Sequence, residues 1–273
     1  MKNFNSLEKP FVYDNDLHIH SKLSSCSNDE QQTAQRILEY AIKNNLKTIC
    51  LTDHFWDEKV EGASRWYAPQ NFGHISKALP LPQADGIEFL FGCETEMDKF
   101  FTLGIAKESF DKFDFIVVPT THLHMMDFTI ASQDNSYERR AKLWIERFDA
   151  LLNMDLPFYK MGLAHITSSL IAPTRAEYLE VLKLIPESQM ERLFIKAANV
   201  GIGIELNLSV FKLAGENEIV LKPYRIAKKC GCKFYCGSDA HSPKHLDEAK
   251  EVFEKTIDIL NLTENDKFYI TKK

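Results

Sequence analysis

The sequence predicts a single α/β barrel of parallel strands. Seven strand-like segments alternate with helical segments along nearly the whole chain, a pattern typical of parallel strands joined by right-handed crossovers. The length of 273 residues is close to the roughly 250 residues of one such barrel. Hydrophobic residues make up 44% of the chain, enough for one large core, and no linker or low-complexity segment divides it. We therefore predict one domain over residues 1–273, with its core at about 14–261.

The strands are predicted from short apolar runs. They are residues 13–20, 47–52, 88–96, 114–122, 161–166, 202–208 and 233–237. Helical spacing of apolar residues predicts helices at 31–44, 136–152, 175–184, 188–200, 222–230 and 243–260. In the first of these helices Ile37, Leu38 and Ala41 fall on one face, as a helix packed on a sheet requires.

Two motifs near the ends of the chain each hold potential metal ligands at positions i and i+2. The first is Asp-Leu-His-Ile-His at residues 16–20, and the second is Gly-Ser-Asp-Ala-His at residues 237–241. Alternate side chains of a strand point to the same face. The motifs are about 220 residues apart, so a closed fold must bring them together if they form one site. Imidazole and carboxylate on rigid strand ends are suitable ligands for zinc, iron or manganese.

Further side chains that can bind metal ions end other predicted strands. The whole set is His18, His20, Asp53, His54, Glu94, His122, His165, Asp239 and His241. One such residue at a strand end is more often a cap or a satisfied polar group, but six of the seven strands end in this way. In a parallel barrel these ends share one rim, where active sites form. The set is large enough for two or three divalent ions, since each ion needs three or four protein ligands.

The order of these motifs resembles the PHP (polymerase and histidinol phosphatase) superfamily over about residues 14–245. The resemblance rests on the following segments: His-x-His at 18–20, Thr-Asp-His at 52–54, Gly-Cys-Glu at 92–94, Thr-His at 121–122, His165, and Gly-Ser-Asp-Ala-His at 237–241. It implies a distorted (β/α)7 barrel, a centre of two or three metal ions, and phosphoester hydrolysis. Zinc is the preferred ion, with manganese or iron as alternatives.

The resemblance also implies a ligand set for each ion. His18, His20, Glu94 and Asp239 would hold the first ion, and Glu94 would bridge to a second ion bound by His122 and His165. His54 and His241 would hold a third. Many family members supply another histidine shortly after His-x-His, but here Cys26 lies eight residues after His18. A thiolate ligand would complete the third site with changed chemistry; otherwise that site is weak or empty.

Other residues are assigned roles around this centre. Glu94 and Asp239 are predicted to be catalytic because they bind the metal ions. Asp53 is predicted to contribute to catalysis by orienting His54 or a metal-bound water. The alternative for Asp53 is that it only stabilises a turn. Arg65 and Arg175 are candidates for gripping phosphate, because guanidinium binds phosphate oxygens bidentately. His124 is assigned to the rim or the substrate. Trp66 and Tyr67 are expected to cover an organic leaving group or to pack their loop on the barrel. Glu96 is expected to face solvent.

The sequence therefore predicts a metal-dependent phosphoesterase that hydrolyses a small-molecule phosphate monoester, such as histidinol phosphate, by metal-activated hydroxide. The alternatives are a phosphodiesterase or oligonucleotide hydrolase, an amidohydrolase-like C–N hydrolase on the same centre, and a non-enzymatic scaffold. The net charge of −6 argues against binding of long nucleic acid. Residues 1–16 contain no export signal, no apolar run approaches ~18 residues, and the cysteines suggest no disulfide framework. These features predict a cytoplasmic protein without a membrane partner. The oligomeric state is open.

Overall fold

The computed structural model describes residues 8–271, so the predicted domain limits at 1–7 and 272–273 lie outside the described residues. The strands are Asn15–Ile19 (β1), Thr48–Leu51 (β2), His54–Phe55 (β3), Glu88–Phe91 (β4), Cys93–Thr95 (β5), Ile116–Pro119 (β6), Met161–Ala164 (β7), Gly203–Asn207 (β8) and Lys233–Gly237 (β9). The α-helices are Ala34–Lys43 (α1), Phe72–Ile75 (α2), Tyr137–Leu152 (α3), Tyr178–Lys183 (α4), Glu187–Val200 (α5), Leu208–Ala214 (α6), Glu218–Lys229 (α7) and Pro243–Ile259 (α8).

The strands form two sheets in which every pair is parallel. One sheet has the order β1-β2-β4, and the other has the order β3-β5-β6-β7-β8-β9. The end of β1 lies beside the residues that follow β9: the amide of Asp239 donates to the carbonyl of His18 (2.7 Å), and the amide of His20 donates to the carbonyl of Ala240 (3.1 Å). The predicted parallel α/β architecture is confirmed. The two terminal motifs are neighbours in space.

The predicted 88–96 strand is interrupted, so the prediction that it is continuous was wrong, and a further short strand follows the predicted 47–52 strand. The 47–52 strand ends at Leu51 and β3 begins at His54; the 88–96 strand breaks at Gly92. In both places the chain passes from the smaller sheet to the larger one, because β2 pairs with β4 whereas β3 pairs with β5. Gly92 is required there: a Cβ atom would lie 2.4 Å from the carbonyl oxygen of Phe115.

Side-chain caps set several helix boundaries. The Thr33 hydroxyl accepts the amide of Arg36 at the start of α1, and α5 ends at Gly201, whose φ of 81° places it in the left-handed region. The Asn217 side chain accepts the amide of Ile219, so α7 begins four residues before its predicted start at 222. Asn207 caps α6 in the same way. The sequence did not predict α6, because its residues continue the apolar run of β8.

The core has two parts. The larger one packs the helices against the strands. The smaller one is made of Leu17, Cys50, Leu90, Phe115, Val117, Ala164, Tyr235 and Phe268. Strands of both sheets contribute to this smaller cluster, so both sheets face a common interior.

Candidate metal centre

The structure gathers the predicted ligands into three groups in which the candidate ligand atoms lie within 4.8 Å of one another. These groups are His18, His20 and Asp239; Glu94, His122 and His165; and His20, His54 and His241. Every predicted metal ligand except Cys26 is therefore in at least one group. The residues come from six separate segments of the chain that meet at the carboxyl ends of the parallel strands, where the fold class places its sites.

The first group joins the two terminal motifs. The Nε2 atoms of His18 and His20 are 3.0 Å apart. Oδ1 of Asp239 lies 3.2 Å from Nε2 of His20 and 3.6 Å from Nε2 of His18. Asp239 has a φ of 51°, an uncommon backbone conformation for a residue other than glycine. The amide of Asp239 is held in that conformation by its bond to the carbonyl of His18, which aims the carboxylate at the two imidazoles.

The second group is built around Glu94. Its Oε1 lies 3.5 Å from Nε2 of His165, and the rings of His122 and His165 stack with centroids 4.6 Å apart. Nδ1 of His165 lies 3.0 Å from the Thr121 hydroxyl, and Nδ1 of His122 lies 2.8 Å from Oε2 of Glu96. Because the Nδ1 atoms are engaged, the Nε2 atoms of both rings are the ones available to an ion.

The third group lies on the other side of Glu94. Nδ1 of His54 is 2.8 Å from Oε2 of Glu94, and Nδ1 of His241 is 2.7 Å from the carbonyl oxygen of Asp239. The Cys26 side chain lines the same cavity as His54 and His241. Burial raises the pKa of this thiol, but the two histidines outweigh burial and bring its pKa to about 7. The structure thus places Cys26 beside the group that sequence reasoning left open.

Glu94 shows that these residues suit metal ions. It is buried, and among residues 8–271 no donor meets either of its carboxylate oxygens with hydrogen-bond geometry, although Nδ1 of His54 lies 2.8 Å from Oε2. Burial opposes its ionisation, yet the neighbouring His54 and His18 hold the pKa of Glu94 well below its usual range. A buried carboxylate without hydrogen bonds is costly unless a cation satisfies it. Glu94 faces imidazole nitrogens from all three groups, so one or more divalent ions would satisfy both oxygens.

Asp53 is hydrogen-bonded to two serines in the segment that follows β1. Its carboxylate accepts hydrogen bonds from the amide and hydroxyl of Ser21 and from the hydroxyl of Ser24, each at 2.7 Å. The Ser24 oxygen in turn lies 2.9 Å from Nδ1 of His20 and accepts the amide of His54 (3.1 Å). Since Ser24 donates its proton to Asp53, it accepts one from His20, which leaves Nε2 of that ring free for a metal ion. Through Ser24, the Asp53 carboxylate is thus linked to the ring of His20 and to the backbone amide of His54.

Sequence reasoning missed Glu205 on β8. This fully buried side chain has its Oε1 2.6 Å from Nδ1 of His18, and its Oε2 accepts the amide of His165 (2.6 Å) and the side-chain amide of Asn207 (3.2 Å). The signal in the sequence was an acidic residue inside an otherwise apolar strand. A carboxylate behind a histidine ligand fixes the tautomer and orientation of the ring.

The expectation that Glu96 faces solvent was wrong. Glu96 is fully buried between His122 and Arg147, which donates from Nη2 to Oε1 of Glu96 at 3.0 Å. Burial raises the pKa of Glu96 to about 8 against the opposing effect of Arg147. Arg147 is itself buried and donates to the backbone carbonyls of Thr120, Met97, Asp98 and Thr129. Arg147 lies on α3, 51 residues after Glu96. The sequence around Glu96 therefore does not reveal this contact.

Comparison with known families decides the affiliation of the chain. Residues 16–270 match the model of the PHP domain. The chain belongs to the PHP family. The resemblance read from the motifs is confirmed over nearly the whole sequence.

Solved PHP-type structures share this fold. Histidinol phosphate phosphatase from Lactococcus lactis subsp. lactis Il1403, crystallised with zinc, L-histidinol and phosphate, is 18% identical with a TM-score of 0.54, covering 90% of this chain and 94% of its own. A putative histidinol phosphatase from Listeria monocytogenes is 14% identical with a TM-score of 0.61, covering 88% and 99%. At these identities the likeness establishes the fold. No curated protein sequence matches the chain. Among residues 8–271, no helix is both long and apolar enough to cross a bilayer.

A cavity of about 690 Å³ opens over the candidate metal ligands. Its lining includes the apolar side chains of Trp66, Met125, Phe128 and Leu170, together with the buried Tyr67. The ring of Trp66 lies 4.9 Å from that of His54, so the 66–67 segment reaches the metal-ligand cluster.

The substrate-binding candidates divide in two. Arg175 and His124 both line the cavity. Burial, with the nearby His122, lowers the pKa of His124 to about 4, so its ring is neutral at pH 7. Arg65 is exposed and does not line the cavity, although Ser64 and Trp66 on either side of it do. Arg175 is therefore the better placed of the two arginines.

Proposed function

We propose that this PHP protein is a metal-dependent phosphoesterase that hydrolyses the phosphate monoester of a small organic alcohol. The observation that carries the proposal is the buried, unsatisfied Glu94 carboxylate, which faces imidazoles of three ligand groups at the floor of a cavity that also holds Arg175. Carboxylate and imidazole ligands that surround one cavity are suitable for a centre of two or three metal ions. A guanidinium group is suitable for binding a phosphate dianion.

The ligands divide among the ions as the family resemblance implies. His18, His20 and Asp239 would hold one ion, Glu94 would bridge it to an ion held by His122 and His165, and His54 and His241 would hold a third. Bound divalent ions would lower the pKa of a water molecule and neutralise charge on the phosphoryl oxygens. Zinc, manganese and iron all suit this donor set. We also propose that the two sheets together form the distorted (β/α)7 barrel of the family.

The remaining residues of the cavity would bind and orient the ester. Arg175 would donate to the non-bridging phosphate oxygens. His124, neutral at pH 7 because of its lowered pKa, can offer one N–H to the phosphate or the leaving group. The apolar wall with Trp66, Met125 and Phe128 would cover the organic part and exclude water from it.

The charge of the cavity bears on the choice of alcohol. Among the described residues, the acidic side chains that line it are Glu94 and Asp239, and both are proposed metal ligands. The Lactococcus lactis neighbour was crystallised with L-histidinol and phosphate, so histidinol phosphate is a candidate substrate. Its ammonium group would find no carboxylate outside the metal-ligand set here. Esters of uncharged alcohols with apolar surface therefore belong in the same test.

The proposal is tested by phosphate release after the metal-free protein is reloaded with zinc, manganese or iron. The panel should contain histidinol phosphate, an aryl phosphate, a sugar phosphate and a bis-aryl phosphodiester. We expect turnover of at least one monoester, lost in Glu94→Gln and retained in Glu108→Gln, an exposed carboxylate outside the cavity. Reloaded protein that cleaves only the diester, or no phosphoester at all, would refute it.

A further inference from the structure

The segment between β1 and α1 places Cys26 at the edge of the metal-ligand cluster. The residues on either side are anchored: the amide of Ser25 donates to Oε1 of Gln70 (2.9 Å), and the hydroxyl of Ser27 donates to the carbonyl of His241 (2.9 Å). The side chain of Cys26 is half-buried and lines the cavity together with His54 and His241. Its sulfur is thus held beside two histidines and remains accessible from the cavity.

Among the described residues, the candidate ion position of His20, His54 and His241 has no fourth histidine. Cys26 lines the same cavity and is the side chain considered as its further ligand. His20 and His241 stack with ring centroids 4.3 Å apart, and His54 lies 4.5 Å from His20. Nδ1 of His20 is engaged by Ser24, and Nδ1 of His241 is close to the carbonyl of Asp239. These two rings therefore present Nε2 toward the space they share with His54, and the Cys26 side chain lines the same cavity as His54 and His241.

We propose that the Cys26 thiolate is a ligand of the ion position formed by His20, His54 and His241, and that this sulfur ligand makes the position selective for zinc over manganese. The inference rests on the proposed function in that it assumes metal ions at this centre. Thiolate is a soft ligand that favours zinc, whereas carboxylate and carbonyl oxygen suit manganese. On binding, the sulfur–hydrogen bond is replaced by a sulfur–metal bond, and the proton passes to solvent.

The other cysteines provide a contrast. Cys50, Cys93, Cys232 and Cys236 are buried and do not line the cavity. Cys230 is half-buried like Cys26, but its sulfur lies 3.8 Å from the carbonyl oxygen of Glu191, also outside the cavity. Within the described residues, Cys26 is therefore the cysteine whose sulfur can reach a cavity ion. Cys230→Ser is a matched control for the loss of one half-buried thiol.

Cobalt(II) provides a readout that does not depend on activity. The metal-free protein is titrated with cobalt chloride, and the sulfur-to-cobalt charge-transfer absorption in the near ultraviolet is recorded. We expect the band in the wild type and in Cys230→Ser, and its loss in Cys26→Ser. Zinc affinity at this position should fall at least about tenfold in Cys26→Ser, the lower end of the loss seen when partners of metal ligands are removed. Manganese affinity should change less.

Cys26→His gives a second variant, which supplies a nitrogen ligand in the same place. It should load cobalt without the charge-transfer band and with a smaller zinc-to-manganese affinity ratio than the wild type. Circular dichroism of the metal-free variants checks that each is folded. A wild-type protein without the band, or a band that persists in Cys26→Ser, would overturn the inference.

The phosphatase panel is read separately. A cobalt–sulfur band without turnover of any ester supports the inference about Cys26 and removes the proposed function. Turnover of an ester by a wild-type protein that lacks the band supports the proposed function and removes the inference about Cys26.

Discussion

The Nδ1 atom of His18 lies 2.6 Å from Oε1 of Glu205, and both side chains are fully buried. The second oxygen of Glu205 accepts the amide of His165, a residue held at a φ of 31°. One carboxylate therefore orients a ligand of the first group and the backbone of a ligand of the second. Glu205 belongs to neither ligand group, yet it couples the two.

Replacing Glu205 tests this coupling. In Glu205→Gln the shape is kept but the charge behind His18 is lost, so we expect metal affinity to fall roughly 10–100-fold, as for other partners of metal ligands. Affinity is measured by competition with a chelator of known strength. Glu191→Gln, an exposed carboxylate on α5, should leave the affinity unchanged. Equal affinity in Glu205→Gln and wild type would show that His18 does not need this carboxylate.

The buried hydrogen bonds of Arg147 predict a large effect on stability. Arg147→Met removes the donor to one oxygen of Glu96 and to four backbone carbonyls. We expect the free energy of unfolding to fall by about 3–5 kcal/mol, because each buried acceptor left unpaired costs about 1–3 kcal/mol; urea denaturation measures it. Arg192→Met removes an exposed ion pair with Asp149 and should cost no more than about 1 kcal/mol. Similar losses in the two variants would contradict this account.

Arg175 should act on substrate binding. Arg175→Ala removes a cation from the cavity, and we expect kcat/KM for a phosphate monoester to fall about 10–100-fold, which corresponds to ~1.5–3 kcal/mol for hydrogen bonds to a charged group. Steady-state kinetics on the best substrate of the panel measures it. Arg65→Ala is the matched control, because Arg65 is exposed and lies outside the cavity. A larger loss in Arg65→Ala than in Arg175→Ala would reverse the assignment.

Asp14 predicts part of the pH dependence of stability. Burial raises the pKa of this carboxyl, but the hydrogen bonds from Lys267 and Lys47 outweigh burial, so its pKa is lower in the folded state than in the unfolded chain. A lowered pKa means stabilisation that is present above about pH 4, the usual pKa of aspartate, and is lost as the pH falls through the folded value.

The variant Asp14→Asn should therefore be less stable than the wild type at pH 7, and the difference should shrink on acidification below about pH 4. Unfolding midpoints in urea at a series of pH values test this. A difference that stays constant down to pH 2 would show that the ion pair with Lys267 does not supply the stabilisation.

The ligands at strand ends were predictable because their placement depends on local geometry. His18 and His20 share a face by the two-residue period of a strand, and parallel strands bring His122 and His165 to the same rim. These relations need only the correct strand assignment. They hold in the structure even though the predicted 88–96 strand is interrupted.

The supporting contacts were not predictable in the same way. Glu205 meets His18 across 187 residues of sequence, and Arg147 meets Glu96 across 51. Both contacts depend on which helix or strand packs beside the site, which a periodic pattern does not encode. Likewise, the loops alone decide that Arg175 lines the cavity and Arg65 does not.

The central claim is that Glu94 organises a metal centre, and metal content tests it most directly. Elemental analysis of the purified protein, reloaded with zinc after chelation, should give about two or three ions per chain. Glu94→Gln should lose at least one of them while remaining folded. Fewer than one ion per chain in the reloaded wild type, or full occupancy in Glu94→Gln, would contradict the account.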